Sequence, residues 1–171
     1  MKLIMQFAFL FILLINSSIV VLAQTDNESS RATLRGIKSI YVNVSTIEDK
    51  KLIENGITSQ QIITDIELKL RMAGINVVET LNEQTNDGEP NLHLEIIILE
   101  QNDYIFVYSL SLEFLQLVTP VRKGKIIAMG TTWKNDLVGY IGVQNSSKIR
   151  DYVKDLVDSF INAYLAVNKN K

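Results

Sequence analysis

The side chains best suited to acid–base or metal chemistry are His93 and Glu95, two residues apart in the stretch LHLEIIILE. Successive side chains of a strand point to opposite faces, so residues two apart lie on the same face. An imidazole and a carboxylate placed in this way can exchange a proton or supply two ligands to a metal ion. The pair lies inside a strand pattern, whereas catalytic groups usually lie on loops. We therefore interpret both as surface residues and keep a hydrolase or metal-dependent enzyme as the less favoured alternative.

The composition excludes most other chemistry. The chain has 171 residues, no cysteine and one histidine, which excludes thiol catalysis, cysteine-based zinc sites and multi-histidine sites. It contains no G-x-S-x-G, G-x-G-x-x-G or phosphate-loop sequence. We accordingly assign no catalytic residue, no cofactor-binding residue, no metal ligand and no cofactor. The formal net charge of −2 and the lack of a basic cluster also argue against nucleic acid as a partner.

The first 23 residues have the three-part pattern of a secretory signal peptide. Lys2 gives a positive start, residues 3–15 are apolar except for Gln6, and the small residue Ala23 precedes Gln24. This pattern predicts a signal peptide over residues 1–23 that is cleaved between Ala23 and Gln24. The alternative is a retained membrane anchor, because about 20 uncharged residues can span a bilayer. The polar run at residues 16–18 interrupts that span and favours cleavage.

Cleavage at this bond would release an exported protein, located in a bacterial periplasm or outside the cell. No basic cluster follows the segment, so we expect no stable membrane insertion after cleavage. An exported chain without cysteine has to be stable without disulfides, which fits a bacterial source better than a eukaryotic secretory route.

The remaining chain divides at about residue 36. The stretch QTDNESSRATLR is polar and aperiodic, which predicts a disordered leader over residues 24–35. Residues 36–171 alternate between strand and helix patterns and are long enough for a single α+β domain. A strand, a helix and a second strand near residues 40–44, 58–74 and 75–79 form a crossover unit, so the two strands should be parallel. The whole pattern predicts a two-layer sandwich, with one mixed sheet of about five strands and two helices on one face, in the order β-α-β-β-β-β-α.

The two helices are the clearest elements. Thr58 followed by Gln61 is typical of a capping box, and Gly74 suits the left-handed residue that ends a helix. The second helix covers residues 148–171. Its apolar stripe at helical spacing comprises Ile149, Val153, Leu156, Phe160, Ala163, Tyr164 and Val167. We expect both stripes to pack on the sheet.

The centre of the sheet is a hairpin in the stretch NLHLEIIILEQNDYIFVYSLSLEFLQLV. Apolar residues alternate in both strands, and opposed residues of a hairpin face the same side, so the two apolar sets must pair. A three-residue loop at 101–103 achieves this by placing Ile98 opposite Phe106 and Leu94 opposite Leu110. The other face then carries an apolar group near the turn, made of Ile97, Leu99, Ile105 and Val107.

The last strand pattern, KIIAMGTTWKND, contains the only tryptophan of the chain. Gly130 within it indicates a bulge or a close backbone approach. Gly139 and Gly142 flank Tyr140 and Ile141, which predicts a mobile loop over residues 137–143 with exposed apolar tips. We therefore predict a candidate contact surface made of Ile97, Leu99, Ile105, Val107, Tyr140 and Ile141.

Several stretches also resemble a group of small exported bacterial proteins of unassigned function: GITSQQIITDIELKLRMAGINV, LEFLQLV, TTW and VKDLVDSFINAYLAVN. The resemblance covers most of residues 34–168 and implies an envelope location, but it carries over no site residue. The layout is similar to small α/β domains of bacterial envelope lipoproteins and to the N-terminal domain of TolB, which implies a fold and no function.

These observations favour a non-enzymatic envelope protein, a protein-binding or assembly module. Its expected partner is another protein, or a second copy of the chain, bound through the open face of the sheet. The alternative is a module that holds a small apolar ligand between the sheet and the helices, with Tyr108, Phe114, Trp133 and Phe160 as its lining.

Overall fold

The computed structural model describes residues 20–24, 26–80, 88, 90–123 and 126–168, with backbone only at 20–24 and at Lys123. The strands are β1 Val20–Gln24, β2 Ile40–Val44, β3 Val77–Val78, β4 Asn91–Asn102, β5 Ile105–Val118 and β6 Ala128–Gly142. The helices are α1 Glu28–Ala32, α2 Lys50–Glu54, α3 Ser59–Met72 and α4 Ile149–Val167. Two 3-10 turns cover Val121–Lys123 and Val143–Lys148.

The strands form one mixed sheet in the order β1-β6-β5-β4-β2-β3. Strand β2 is parallel to β3, as the crossover pattern predicts, and it is also parallel to β4, while the other neighbours are antiparallel. The predicted α+β sandwich is therefore confirmed, with all five predicted strands present. The sixth strand, β1, lies at one edge of the sheet, and it contains the end of the predicted signal peptide.

Helices α3 and α4 cover one face of the sheet and share its hydrophobic core. Ile62, Ile66 and Leu70 of α3 are buried, and Thr58 caps this helix by accepting a hydrogen bond from the Gln61 amide at 3.2 Å. Of the predicted α4 stripe, five residues are buried: Ile149, Val153, Leu156, Phe160 and Ala163. Two-residue alternation in the strands and helical spacing in the helices thus identify most of this core from sequence.

The predicted disordered leader over residues 24–35 is wrong for residues 26–35. Asn27 caps α1 by accepting a hydrogen bond from the Ser30 amide, and Leu34 is fully buried. Asp26 accepts a hydrogen bond from the Arg31 guanidinium at 2.6 Å and one from the Trp133 indole at 3.0 Å. The polar composition gave no sign of this order, because Asn27 and Ser30 bond to each other in the helix cap and Asp26 bonds to Trp133 of the sheet.

The end of α4 also holds this segment in place. The Asn168 side chain donates to the Leu34 carbonyl at 3.0 Å and accepts from the Gly36 amide at 2.8 Å. The Tyr164 hydroxyl donates to the Ile37 carbonyl at 2.7 Å. The first and last parts of the described domain therefore meet at one place.

The central hairpin has the predicted faces but a different register. Ile98 lies opposite Tyr108 and Leu94 opposite Leu112, so the predicted pairing is wrong by two residues. The cause is a two-residue turn at Asp103 and Tyr104, together with an irregularity between Glu100 and Asn102. A shift of two residues keeps every side chain on its face, so the assignment of buried and open faces is unaffected.

The predicted loop over residues 137–143 is wrong as well, because β6 continues to Gly142 and pairs with β5 along that length. The close approach predicted at Gly130 is present, since a Cβ there would lie 2.8 Å from a methyl carbon of Val118. The register between β5 and β6 shifts between Trp133 and Thr131, which turns Trp133 toward the helices and Thr131 to the open face.

Candidate functional site

The open face of the sheet carries a continuous group of apolar side chains from three strands, which we call the apolar patch. Its members are Ile97 and Leu99 of β4, Ile105 and Val107 of β5, and Val138 and Tyr140 of β6. Register brings them together, because Leu99 and Tyr140 both lie opposite Val107, while Ile97 and Val138 both lie opposite Ser109. Leu99 is 63% exposed, Ile97 is 47% exposed and Val138 is 44% exposed. The other three are half-buried.

Five of the six residues predicted for the contact surface belong to this patch, and Ile141 does not. Ile141 lies opposite the buried Phe106, on the helix side of the sheet, and is only 4% exposed. Its assignment to an exposed loop tip is wrong because β6 is regular there, so neighbouring residues point to opposite faces. Tyr140 belongs to the surface as part of a strand.

Sequence reasoning missed Val138, which completes the patch on β6. The signal was available in the alternation of LVGYIG, where residues 137, 139 and 141 face the helices and residues 138 and 140 face outward. The two glycines favoured a loop interpretation over this weaker alternation.

A polar cluster occupies the same face beside the patch. The Lys134 ammonium lies 2.9 Å from a Glu113 carboxylate oxygen and 3.3 Å from an Asp136 oxygen. The hydroxyls of Thr131 and Ser111 also donate to the Glu113 carboxylate, at 3.1 and 3.2 Å. Burial raises the pKa of Glu113, but the hydrogen bond and charge of Lys134, with these hydroxyls, outweigh it and hold the pKa below its ordinary value. The hydrogen bond with Glu113 raises the pKa of Lys134 in turn.

His93 is part of the open face but has a structural partner. Its Nδ1 lies 3.1 Å from the Asn43 side-chain oxygen on β2, and Glu113 lies opposite it on β5. Glu113 already accepts from Lys134, Thr131 and Ser111, and Glu95 lies opposite Ser111. Within the part of the chain that the structure describes, no three histidine or acidic residues are grouped closely enough to hold a metal ion. This arrangement fits a hydrogen-bonded surface histidine.

The aromatic residues predicted to line a ligand site pack directly on one another. The ring centroid of Phe160 lies 5.5 Å from that of Phe114 and 5.2 Å from that of Trp133. Tyr108 stacks on Tyr152 of α4 with 5.5 Å between centroids. The four candidate residues are at most 1% exposed. They fill the interior between the sheet and α4, so their contacts are those of a packed core.

A cleft of about 500 Å3 lies between α1 and the end of α4, and Asp26, Arg31, Arg35 and Val167 are among its lining residues. The hydrogen bond to Arg31 is the main reason that the pKa of Asp26 is lowered; burial opposes it, and the bond from Trp133 adds to it. Because its Arg31 guanidinium and its Asp26 carboxylate satisfy each other, the cleft offers a ligand little unpaired charge from these two groups.

No protein family model matches the chain, and no curated protein matches it. None of the helices in the described ranges is both long and apolar enough to cross a membrane. The class that the structure itself defines is a cysteine-free α+β sandwich whose open sheet face is part apolar and part charged.

Proposed function

We propose that this chain is a non-enzymatic exported protein that binds another protein through the apolar patch. The observation that carries the proposal is the patch itself, because six apolar side chains from three strands adjoin on the face opposite the helices. Side chains of this number expose roughly a few hundred Å2, which is the size at which an apolar patch begins to mark an interaction site.

The charged residues around the patch indicate what kind of surface the partner would present. The single ammonium of Lys134 lies within ion-pair distance of the two carboxylates of Glu113 and Asp136, so this cluster keeps one net negative charge. Glu95 is exposed on the same face, two residues from Ile97. A partner that presents apolar side chains, with a lysine or arginine at their border, would complement both features.

Export is supported by the signal peptide pattern of residues 1–23, most of which lie outside the described residues. Apart from the pairing of β1 with β6, the contacts that hold the N-terminal segment to the domain begin at Asp26, after the predicted cleavage bond. A chain that starts at Gln24 keeps all of these contacts. We therefore propose a periplasmic or extracellular location in a bacterium.

The experiment compares two lysine substitutions on the open face, Val107→Lys in the patch and Met129→Lys at the other end of β6. Met129 is 46% exposed and lies opposite Leu117, away from the patch. Tagged proteins are used to capture partners from envelope extract of the source bacterium, and their thermal stability is measured in parallel.

We expect wild type and Met129→Lys to retain the same partner and Val107→Lys to lose it, because burying an unpaired ammonium in an apolar interface is costly. His93→Ala should bind as wild type does. A Val107→Lys protein that stays folded and retains the partner would refute the proposal. If Val107→Lys unfolds, the patch is interior and the proposal fails for that reason.

A further inference from the structure

Among the strands of the described ranges, β6 has β5 on one side and β1 on the other, where β1 forms the edge of the sheet. All five residues of β1 pair with β6 in antiparallel register, from Val20 opposite Gly139 to Gln24 opposite Asn135. At the opposite edge of the sheet, β3 has only two residues. The longer edge is therefore that of β6, which β1 covers.

The predicted cleavage bond lies inside this strand. Cutting between Ala23 and Gln24 removes four of the five β1 residues, and the one that remains cannot form a strand. The segment that follows is held independently, by Asp26 with Arg31 and Trp133 and by α1. Cleavage would thus uncover the backbone of residues 135–139 of β6 while leaving the rest of the domain in place.

An uncovered edge of this kind readily accepts another strand. Its amide and carbonyl groups are unpaired, and edge strands that are neither short nor protected by proline, lysine or a bulge pair with other chains. The sequence NDLVG at residues 135–139 has no proline and no lysine, and its pairing with β5 is regular.

We propose that cleavage of the leader frees this edge of β6 and that a second copy of the chain takes the place of β1, through antiparallel pairing of β6 with β6. This inference rests on the export and cleavage in the proposed function. The register between β1 and β6 indicates which residues of β6 would pair in the dimer. Leu22 lies opposite Leu137, and a symmetric dimer centred on Leu137 places a second Leu137 at that position.

The pairs that this symmetric register creates are compatible. Asp136 of each copy lies opposite Val138 of the other, and Asn135 lies opposite Gly139, so no two like charges are directly opposed. A register centred on Asp136 would oppose two carboxylates. The isologous geometry is that of the commonest homodimers, in which the same surface of both copies forms the contact.

The dimer would continue one sheet through both copies. The two-fold axis of an antiparallel edge pair is perpendicular to the sheet, so both apolar patches lie on the same face. Val138 and Tyr140 lie on β6, the strand at the junction, so the two patches would adjoin there. A contact built mainly from a five-residue ladder is small, so we expect association in the micromolar range, as for weak interfaces.

The experiment uses the full gene with its own leader, expressed in a bacterium, and the exported product is purified. Intact mass determines whether the chain begins at Gln24. Sedimentation velocity then measures the mass over a range of concentrations. Because the native chain has no cysteine, Asp136→Cys and Val138→Cys are single reporters that can be oxidised separately or mixed.

We expect a chain beginning at Gln24 whose sedimenting mass doubles as its concentration rises. The mixture of the two cysteine variants should form a disulfide dimer, because residues 136 and 138 are directly opposed between copies. Either variant alone should form much less, because its two cysteines are diagonal neighbours about 7–8 Å apart, near or beyond the reach of a disulfide. Val107→Lys should still dimerise, which separates this contact from the apolar patch.

A chain that begins at Gln24 and remains a monomer at every concentration overturns the inference and leaves binding through the patch intact. Leu68→Cys on α3 is the control, since Leu68 is exposed far from the edge in sequence and fold. The inference is also overturned if disulfide crosslinking is equal in the mixture, in each variant alone and in this control. A purified product that retains residues 1–23 overturns both the cleavage and the dimer.

Discussion

The indole of Trp133 donates a hydrogen bond to the carboxylate of Asp26 across 107 positions of sequence, at 3.0 Å. This bond joins β6 to the segment before α1, and the Asp26 side chain is 5% exposed. Since Trp133 is the only tryptophan, the tryptophan emission of the protein reports on the surroundings of this one indole, including Asp26.

Asp26→Asn should lower the stability of the fold by about 2–3 kcal/mol, because it removes a charge-assisted bond from a buried site. The tryptophan emission should change at the same time. The matched control, Asp151→Asn, removes a carboxylate that is 68% exposed and should change neither property.

Asp26 should also make the stability of the fold depend on pH. The pKa of Asp26 is lower in the folded state than its ordinary value of 3.8, so its contribution to stability is fully present above about pH 4 and is lost as the pH falls further. Urea unfolding between pH 5 and pH 2, read by fluorescence, should show a smaller decline in Asp26→Asn than in wild type. Parallel curves for the two proteins would contradict this assignment.

Phe160→Ala should destabilise the protein by about 3–5 kcal/mol, because a fully buried ring is removed from between Phe114 and Trp133. Asp158, two residues away on the same helix, forms an exposed ion pair with Lys69 at 2.8 Å, and Asp158→Ala should cost about 0–1 kcal/mol. Denaturant unfolding measures both. Similar losses at the two positions would mean that α4 is not packed on the sheet through this stripe.

Tyr108 should make the fold sensitive to alkali. Burial, with a smaller effect of Tyr152, raises the pKa of Tyr108 to about 12 from an ordinary value of 10.0. The folded protein therefore holds this proton more tightly than the unfolded chain, so stability is unaffected below about pH 10 and falls by about 2–3 kcal/mol as the pH rises to 12.

Tyr108→Phe keeps the ring on Tyr152 and should remove most of that alkaline loss. Tyr104→Phe is the control, because Tyr104 is 77% exposed in the hairpin turn. Thermal unfolding at pH 9 and at pH 11.5 measures the difference. If the two variants lose equal stability between these pH values, Tyr108 is not the responsible group.

Lys134→Met should raise the pKa of Glu113, because the ammonium is one of the groups that lower it and its removal leaves Glu113 and Asp136 on the same face. The carboxyl carbon signal of Glu113, followed by NMR against pH, measures the change. Stability should fall by about 1 kcal/mol at neutral pH. In wild type, Glu113 contributes to the stability of the fold above its ordinary pKa of 4.5, and this contribution is lost as the pH falls. In Lys134→Met we expect that loss to disappear. Lys154→Met, in an exposed helical pair with Asp151, should leave the Glu113 titration unchanged.

The faces of the strands and helices could be predicted from sequence, whereas the places where the chain turns could not. Alternation alone put Leu94 and Leu112 inside and Ile97 and Val107 outside, because side-chain direction follows directly from strand geometry. The hairpin register depended on a two-residue turn at Asp103 and Tyr104 that carries no glycine, so composition gave no signal for it.

The two larger errors came from residues whose usual preference was overridden by tertiary contacts. Gly139 and Gly142 favour loops, yet they lie in a strand that is paired along its length with β5. Asp26 belongs to a polar stretch that resembles a disordered leader, and beside its local partner Arg31 it is the distant Trp133 that ties it to the sheet. Contacts between residues more than one hundred positions apart leave no local pattern.

The bonds from Asn168 and Tyr164 to residues 34–37 have a consequence for how the chain is made. A ribosome releases residues 34–37 long before the end of α4, so Asn168 and Tyr164 cannot hold this segment until α4 has been made. During that interval β6 and α4 are missing, and the early strands have no covered core. Residues 34–37 therefore reach their final contacts only after α4 has left the ribosome and folded, so this part of the domain is among the last to become ordered.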